Sequence, residues 1–381
     1  MKRFMLTSVI ASMLGIASAA SAAPAPGIVG DIEVMTQNQY LGADIAPLIA
    51  AIQQGPEAFN AAVIKALAQI SANQTPERVK YLAGQILQRQ PHLVGLQEVW
   101  EFSCFRDPSR SPDYNPCDNP LVSHAFSNHL DLTKTALDSA YELEAVVQNF
   151  TAMVPFTFDN KNFAVVFVKD RDAIFARSDI AAKTDYYALC DVPSPSGEGC
   201  NYDARLNLDP LPPVTRGFVA VTSEIGGKDY LFVNTHLEVE EIFNLGDPVP
   251  IQSQQADELI DVIEDQEAFD RLVLVGDMNS SPNDAAFGAP TPYTKFQAAD
   301  LVDTWLVRPG NVAGLSCCQL EDLSNRASLL TRRIDLILSR ELPTAVKDAR
   351  LIGAVASDRL APPGKGLWPS DHASVAAGLR Y

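Results

Sequence analysis

Eight short apolar runs constrain the fold of this chain most strongly. Each is long enough for one β-strand, and together they extend from residue 31 to residue 378. Several are apolar at consecutive positions, which is typical of strands buried on both faces, between a second sheet and a layer of helices. The predicted strands are 31–37, 93–98, 163–168, 217–223, 229–235, 272–276, 334–339 and 373–378. The segment 217–235 also predicts a hairpin with Gly226 and Gly227 at its turn.

Helical patterns lie between these runs. Residues 75–89 predict a helix with Thr75 as the N-cap and Pro76 at the first helical position. Residues 252–265 predict another, and the Ala-rich segment 43–72 predicts two more. Apolar residues recur at helical spacing at Val79, Leu82, Ala83, Ile86 and Leu87, and again at Ala256, Leu259, Ile260 and Ile263. The sequence therefore predicts an α/β protein with at least eight strands and flanking helices.

The first 22 residues are typical of a secretory signal peptide. Lys2 and Arg3 precede an apolar run at 4–16, and small residues at 20–22 form a cleavage site. A retained membrane anchor is the alternative, but the run is short for one. We expect an exported protein, periplasmic or secreted, whose mature chain (23–381) is a single domain with no membrane-spanning segment.

Six cysteines fit an oxidising compartment. They allow fifteen pairings, which sequence alone does not decide. Local bridges Cys104–Cys117 and Cys190–Cys200 would close short loops, leaving Cys317 and Cys318 to pair as neighbours or one of them to pair elsewhere. The segments 101–130 and 184–215 are rich in Pro, Asp, Asn and Ser, and we interpret them as surface loops pinned by disulfides. The absence of a Cys-x-x-Cys spacing argues against a structural zinc site.

The formal charge is −18, and it becomes −20 if Lys2 and Arg3 are removed with the leader. An acidic surface repels polyanions at long range, which argues against a protein that grips long nucleic acid. The longest basic string is Arg332-Arg333. If Arg332 or Arg333 faces a cleft, it would contact phosphate; the alternative is that both pair with surface carboxylates.

Polar residues recur at the ends of the apolar runs. A strand end at the rim of a sheet can hold an exposed polar group rigidly. Each residue alone is weak, since a lone Asp after a strand is more often a turn residue. Their joint occurrence is informative, because carboxylate and amide oxygens bind hard divalent cations and imidazoles contact phosphate. The residues are Asn38, Glu98, His236, Asp277, Asn279, Asp335, Asp371 and His372, whereas His92, His124 and His129 are interpreted as structural or surface histidines.

The order of these residues resembles the endonuclease/exonuclease/phosphatase superfamily, whose members include DNase I-like nucleases, inositol-polyphosphate 5-phosphatases and bacterial sphingomyelinases. The matching motifs are T-Q-N (36–38), L-Q-E (96–98), N-T-H-L (234–237), G-D-M-N (276–279), R-I-D-L-I (333–337) and S-D-H (370–372). The resemblance implies a four-layer α/β/β/α sandwich of two packed mixed sheets flanked by helices. Two departures, a helical insertion at about 43–90 and the long loop at 184–215, leave the substrate class open.

The resemblance also implies a metal site. Glu98 resembles the main metal ligand, with Asn38 beside it, and Asp371 resembles a second carboxylate on the metal side. The expected cofactor is Mg²⁺, or else Mn²⁺ or Ca²⁺, because these cations prefer oxygen ligands.

Catalytic roles follow in the same way. Asp277 resembles the group that orients or deprotonates the attacking water, and Asn279 contacts both the phosphate and Asp277. His236 resembles a phosphate-binding histidine. His372, paired with Asp335, resembles the histidine that stabilises the transition state. A carboxylate paired with His372 would raise the pKa of the imidazole and keep it cationic.

Four functions remain open at this point. The first is a phosphodiesterase or phosphatase for a small or lipid-linked phosphate, which the acidic charge favours. The second is an exported nuclease. The third is a sphingomyelinase-like enzyme, for which Trp305 and the stretch 366–368 are candidate membrane contacts, and the fourth is a binding module that has lost catalysis. Retention of every motif residue argues against the last.

Overall fold

The computed structural model describes most of the chain after the predicted leader. The described residues are 31–110, 114–184, 190–208, 211–240, 247–264, 269, 271–286, 288–361 and 366–381. The predicted leader, residues 1–22, lies outside these ranges. Within them, no helix is both long enough and apolar enough to cross a membrane.

The described residues form fourteen β-strands and seven α-helices. The strands are β1 (Asp31–Asn38), β2 (Leu93–Gln97), β3 (Glu101–Arg106), β4 (Tyr141–Thr157), β5 (Phe163–Arg177), β6 (Ala182–Lys183), β7 (Cys200–Asn201), β8 (Gly217–Ile225), β9 (Lys228–His236), β10 (Arg271–Asp277), β11 (Val302–Asp303), β12 (Asp335–Ser339), β13 (Ala345–Ile352) and β14 (Ser374–Arg380). The helices are α1 (Ala46–Ile52), α2 (Pro56–Ala72), α3 (Thr75–Arg89), α4 (His129–Leu137), α5 (Ile251–Glu264), α6 (Pro292–Ala298) and α7 (Thr304–Val307).

The strands build two mixed sheets of seven strands each. Sheet A has the order β13-β14-β1-β2-β5-β3, with β4 also paired to β5. Sheet B has the order β11-β12-β10-β9-β8-β6, with β7 also paired to β8. Only the neighbours β1–β2 and β9–β10 are parallel. These two pairs lie in the middle of their sheets. Their carboxyl ends meet, since Asn38 at the end of β1 contacts Asp277 at the end of β10.

Helices cover the outer faces of both sheets. Ala83 and Ile86 of α3 pack with Met35 and Val94 of sheet A, and Leu259 of α5 belongs to the core that sheet B shares with the inner face of sheet A. Helices α1 and α2 pack instead beside β3, β4 and β5. The predicted four-layer α/β/β/α sandwich is therefore confirmed.

A buried polar contact links the two sheets. The Asn234 amide of β9 donates hydrogen bonds to Leu96 O (3.0 Å) and Ala173 O (3.1 Å) of sheet A. Gln97 Nε2 in turn donates to Asn234 Oδ1 at 2.5 Å. Gly95 makes room for this contact, because a Cβ at that position would lie 2.5 Å from Asn234 Oδ1.

All eight predicted strands are present, and the Gly226–Gly227 turn joins β8 to β9. Two local predictions were wrong. Helix α3 begins at Thr75 itself, and its N-cap is Gln74, whose side chain makes no capping hydrogen bond. The Thr75 hydroxyl accepts instead from Arg78, at 3.3 Å. The segment 101–130 is not all loop, because β3 pairs with β5 along its whole length.

The cysteines form both predicted local bridges and the neighbour pair. Cys104 on β3 is joined to Cys117, and Cys190 is joined to Cys200 on β7. The remaining pair is Cys317–Cys318. The first two bridges each fix one loop against a strand, whereas the third joins adjacent residues.

Candidate active site

Sheet A brings the first group of predicted residues together. Because β1 and β2 are parallel and pair Asn38 with Gln97, Asn38 and Glu98 end at the same edge. Strand β14 runs antiparallel to β1 and pairs Thr36 with Val375, so Asp371 and His372, which precede β14, reach that edge as well. The Ser370 hydroxyl fixes this turn by donating to Asn38 O at 2.8 Å.

Sheet B brings the second group to the facing edge. Parallel pairing sets His236 directly beside Asp277, and antiparallel pairing sets Asp335 on the other side of Asp277. Since the sheets pack face to face, the two groups meet. Asn38 Nδ2 of sheet A donates to Asp277 Oδ2 of sheet B at 3.0 Å.

These residues surround a cavity of about 610 Å³. The predicted residues in its wall are Glu98, His236, Asp277, Asn279, Asp371 and His372. Asn38 and Asp335 are buried directly behind them. All eight predicted site residues thus converge on one place, whereas His92, His124 and His129 are absent from the cavity wall. His124 is exposed and the other two are buried, in agreement with their interpretation as structural or surface residues.

Glu98 is held by three donors. Its Oε1 accepts from Asn38 Nδ2 at 3.0 Å, and its Oε2 accepts from Leu41 N at 2.8 Å and from Trp100 Nε1 at 3.3 Å. Asn38 Oδ1 accepts from Tyr40 N at 2.8 Å, so a metal bound by Asn38 would use the other lone pair of that oxygen. The backbone of Glu98 is left-handed, with φ of 55°, a conformation that costs energy for a non-glycine residue and is concentrated at functional sites.

The buried carboxylates repel one another. Burial raises the pKa of Asp371 to about 7, although the charge of His372 lowers it, and the charge of Glu98 adds to the increase. Burial also raises the pKa of Asp277 to about 6, although His372 again lowers it, and Asp335 adds to the increase. A cation bound among these groups would relieve the repulsion and restore the ionised forms.

His372 is held between two carboxylates. Its Nδ1 lies 2.8 Å from Asp335 Oδ2 and 3.7 Å from Asp277 Oδ2. Burial alone would lower the pKa of His372, but the charges of Asp335, Asp277 and Asp371 raise it well above its usual value. His372 is therefore a cation at the cavity wall, where a phosphate would lie.

His236 is neutral, in contrast to His372. Its Nε2 lies 3.5 Å from Asp277 Oδ2 and 3.3 Å from Asn279 Nδ2, and its Nδ1 lies 3.2 Å from Arg216 Nη1. Burial lowers the pKa of His236 well below its usual value, and the charges of Arg216 and His372 lower it further. Both neighbours are donors, since Arg216 Nη1 faces Nδ1 and Asn279 Nδ2 faces Nε2, so the neutral ring accepts at one nitrogen and carries its proton on the other.

Arg216 is a site residue that the sequence analysis missed. It lies in the cavity wall and pairs with Glu238 at 3.3 Å and with Asp170 at 3.6 Å. A signal was present, because the predicted Gly-Gly turn pairs Gly217 with His236 when residues are counted outward from it. The residue before Gly217 must then lie next to the imidazole. Trp100, also in the wall, carried no such signal.

The two neighbouring arginines differ. Arg332 lines the cavity and pairs with Glu240 at 2.6 Å and with Asp284 at 2.7 Å. Arg333 is buried and pairs with the buried Asp303 at 2.6 Å, away from the cavity. Arg332 therefore combines the two alternatives, since it faces the cavity and also pairs with carboxylates, whereas Arg333 only pairs with one.

The candidate membrane contacts were also wrong. Trp305 is 8% exposed, Leu367 is 9% exposed and Trp368 is fully buried. Trp368 Nε1 donates to Asn325 O at 2.7 Å, and Trp305 Nε1 donates to Val312 O at 2.8 Å. Neither indole presents an apolar face that a bilayer could reach.

Comparisons with known proteins agree with this architecture. The sequence matches the model of the Endonuclease/Exonuclease/phosphatase family over residues 58–372, and no curated protein matches it significantly. A solved endonuclease/exonuclease/phosphatase from Beutenbergia cavernae DSM 12333 is 17% identical, with a TM-score of 0.51 and coverage of 92% of this chain and 72% of that chain. The mannosyl-6-phosphatase from Bacteroides thetaiotaomicron VPI-5482 is 16% identical (TM-score 0.46, coverage 92% and 100%). TDP2 from D. rerio, complexed with single strand DNA product, is 13% identical (TM-score 0.48, coverage 92% and 99%).

Likeness at these identities concerns the fold alone, so membership rests on the family match, which covers most of the chain. That match includes five of the six motifs, from L-Q-E to S-D-H. The resemblance inferred from the motifs is confirmed: the chain belongs to the Endonuclease/Exonuclease/phosphatase family of phosphate-ester hydrolases.

Proposed function

We propose that this cavity hydrolyses a phosphodiester or phosphomonoester with the help of a bound divalent cation. The observation that carries the proposal is the convergence of the eight side chains at the edge shared by both sheets. Hydrolysis of phosphate esters is the chemistry of the family, and the proposal adds the cation, the residue roles and the class of substrate.

The donor set fits a hard divalent cation. Glu98 and Asp371 present carboxylate oxygens to the cavity, and Asn38, buried behind them, would add its amide oxygen through the lone pair that Tyr40 N leaves free. Mg²⁺ takes such ligands, and Mn²⁺ and Ca²⁺ accept them as well. When bound, the cation would stabilise negative charge on the phosphate and on the leaving oxygen.

The remaining residues account for the transfer itself. The oxygen of a water molecule attacks phosphorus, its proton passes to Asp277, and the ester P–O bond breaks with the electron pair on the leaving oxygen, which takes up a proton from solvent. Asn38 Nδ2 and Asn279 N fix the two oxygens of Asp277 in orientation, at 3.0 and 2.9 Å. The His372 cation stabilises the charge that develops on the phosphoryl oxygens, and His236, when it carries its proton on Nε2, donates to one of them.

The charges near the cavity favour a small or lipid-linked phosphate over long nucleic acid. The carboxylates in its wall belong to Asp44, Glu98, Glu240, Asp277, Glu321 and Asp371, whereas the arginines are Arg216 and Arg332. Each of these arginines is already paired with two carboxylates. The wall therefore offers few unpaired cationic side chains to the phosphodiester backbone of a nucleic acid.

Export is also part of the proposal. A leader at residues 1–22 would direct the chain out of the cytoplasm, and three disulfides persist in an oxidising compartment. The mature chain, residues 23–381, would then act as one catalytic domain in the periplasm or outside the cell.

Hydrolysis of bis-p-nitrophenyl phosphate tests the proposal. We expect activity that EDTA abolishes and that Mg²⁺, Mn²⁺ or Ca²⁺ restores. The same preparation is then tested on nucleotides, inositol phosphates, sphingomyelin vesicles and plasmid DNA to identify the substrate class. A folded sample that ignores divalent cations and is inert toward every ester would refute the proposal, and plasmid nicking as the dominant activity would replace the substrate class with nucleic acid.

A further inference from the structure

A second cavity, almost wholly apolar, adjoins the polar one. It has a volume of about 130 Å³ and lies between helices α1 and α2 and strands β3, β4 and β5. Leu48 of α1, Ala66 of α2 and Ala152 of β4 contribute to its wall. We call it the apolar chamber. Among the residues that the structure describes, the charged lining residues are Asp170 and Arg216.

The apolar chamber and the polar cavity share a wall. Leu41, Ile45, Trp100 and Arg216 line both. Trp100 stacks on Phe102, another chamber residue, at 5.7 Å, while its Nε1 donates to Glu98 Oε2 at 3.3 Å. One indole therefore contacts a predicted metal ligand with its polar edge and the chamber with its ring.

The distribution of charge in the apolar chamber is one-sided. Arg216 contacts His236 of the polar cavity at 3.2 Å and Asp170 at 3.6 Å, so both charged chamber residues lie toward that cavity. The other lining residues are apolar. A molecule that fits both spaces has an anionic group at the polar end and hydrocarbon beyond it.

The volume limits the size of the hydrocarbon. Cavities of about 150 Å³ lined by Leu, Ile and Phe stay dry and bind benzene. A chamber of about 130 Å³ therefore takes an apolar group of about six carbons.

We propose that the apolar chamber binds the alkyl or aromatic group of an amphiphilic phosphate ester whose phosphate lies in the polar cavity. This inference rests on the proposed function and narrows its substrate to esters with one compact apolar group. Trp100 and Arg216 would then determine specificity, since they contact both halves of the ligand.

Binding of alkylphosphonates tests the inference without turnover. Methyl-, butyl- and hexylphosphonate are titrated into the full mature protein by calorimetry, at saturating Mg²⁺. We expect affinity to rise about three- to fourfold per added methylene, with an increasingly negative heat-capacity change as apolar surface is buried. Equal binding of methyl- and hexylphosphonate would overturn the inference, and so would hexylphosphonate that binds no tighter than hexanol.

Two substitutions on one helix locate the effect. Ala66→Phe fills the apolar chamber, whereas Ala61→Phe adds the same ring on the exposed face of α2 and serves as the control. We expect Ala66→Phe to lose the increase in affinity with alkyl-chain length and Ala61→Phe to keep it. If Ala66→Phe fails to fold, Leu48→Trp fills the chamber from a half-buried position of α1. If a folded variant with a filled chamber still binds longer alkylphosphonates more tightly, the alkyl group binds elsewhere and the inference is overturned.

The two proposals fail in different ways. If the protein hydrolyses bis-p-nitrophenyl phosphate but binds all alkylphosphonates equally, the apolar chamber is not a binding site and the proposed function remains intact. Absence of hydrolysis together with absence of methylphosphonate binding overturns the proposed function, and with it the inference that depends on it.

Discussion

Asp277 is the residue through which the two halves of the site meet. It accepts hydrogen bonds from Asn38 of sheet A and from the backbone of Asn279, and it lies 3.5 Å from His236 and 3.7 Å from His372. We expect Asp277→Asn to lower kcat/KM for bis-p-nitrophenyl phosphate by about 10²- to 10⁴-fold, because the amide cannot accept the proton of the attacking water. Steady-state kinetics at saturating Mg²⁺ measures this.

Asp229→Asn is the matched control for that substitution. Asp229 is exposed on β9, near the turn and far along the strand from His236. It should retain the activity of the unaltered protein. Full activity in Asp277→Asn, with unchanged thermal unfolding, would remove Asp277 from the reaction.

His92 makes the fold sensitive to acid. Its Nδ1 accepts from Glu33 N at 2.9 Å, and burial, with the charge of Arg177, lowers the pKa of His92 to about 4 from 6.5. The unfolded chain binds this proton more readily than the folded one. The contribution of His92 to the free energy of unfolding is therefore fully present above pH 6.5 and is lost as the pH decreases toward 4. The loss amounts to about 3 kcal/mol. Urea denaturation of His92→Asn, which keeps an acceptor, should show a smaller decrease across this range.

The control for this measurement is His124→Asn, at an exposed histidine. It should follow the pH dependence of the unaltered protein. If His92→Asn and His124→Asn show the same pH dependence, His92 is not a source of the acid sensitivity.

Single residues of the site could be predicted because they lie at the ends of strands with clear apolar patterns and belong to the motifs. Glu98 and Asp277 each end such a run, and His372 precedes one. Arg216 precedes β8 but belongs to no motif, so only the register of the hairpin connects it with His236. Trp100 and the apolar chamber depend on how α1 and α2 pack beside sheet A, and periodicity within one segment carries no information on that contact.

Two of the strands that the sequence did not predict, β4 and β13, have irregular patterns. Strand β4 contains two bulges, between Leu143 and Ala145 and between Gln148 and Phe150, and each bulge reverses the alternation of buried and exposed side chains. Strand β13, at the edge of sheet A, is charged and also bulged. Strand β5 was predicted only to residue 168, because the charged residues that follow interrupt its apolar run even though several of them are buried.

Gly95 determines how closely the two sheets pack. A Cβ there would lie 2.5 Å from Asn234 Oδ1 and 2.6 Å from Val275 Cγ2, both in sheet B. We expect Gly95→Ala to lower the free energy of unfolding by about 1–3 kcal/mol, since the sheets must move apart to admit the methyl group. The shift in the urea midpoint measures this change.

Gly84→Ala is the matched control with the opposite sign. Gly84 is exposed in the middle of α3, and a Cβ there meets nothing within 4 Å. Alanine in a helix interior should stabilise the protein by about 0.5–1 kcal/mol. Gly95→Ala without destabilisation would show that the sheets adapt at no cost.

At the scale of the whole molecule, two sheets of similar topology each contribute half of the site. Each has one parallel pair, β1–β2 or β9–β10, and a later antiparallel strand beside it. The layered fold could be predicted from strands buried on both faces and from the motifs. The pairing order could not, because it joins strands such as β1 and β14 that are more than 300 residues apart.

The net charge of the molecule determines how salt affects the binding of an anionic substrate. At about 0.01 M salt the Debye length is about 30 Å, so the net charge of −18 repels an anionic substrate over the whole molecule, whereas at about 0.15 M it is about 8 Å. With Mg²⁺ saturating, we expect KM for bis-p-nitrophenyl phosphate to decrease as salt rises over this range while kcat stays constant. The decrease should be larger for the dianion p-nitrophenyl phosphate. A KM that rises with salt, most steeply for the dianion, would mean that Arg216, Arg332 and a bound cation outweigh the total charge at the cavity mouth. Binding of nucleic acid has that salt dependence, so this result would favour a longer polyanion as substrate.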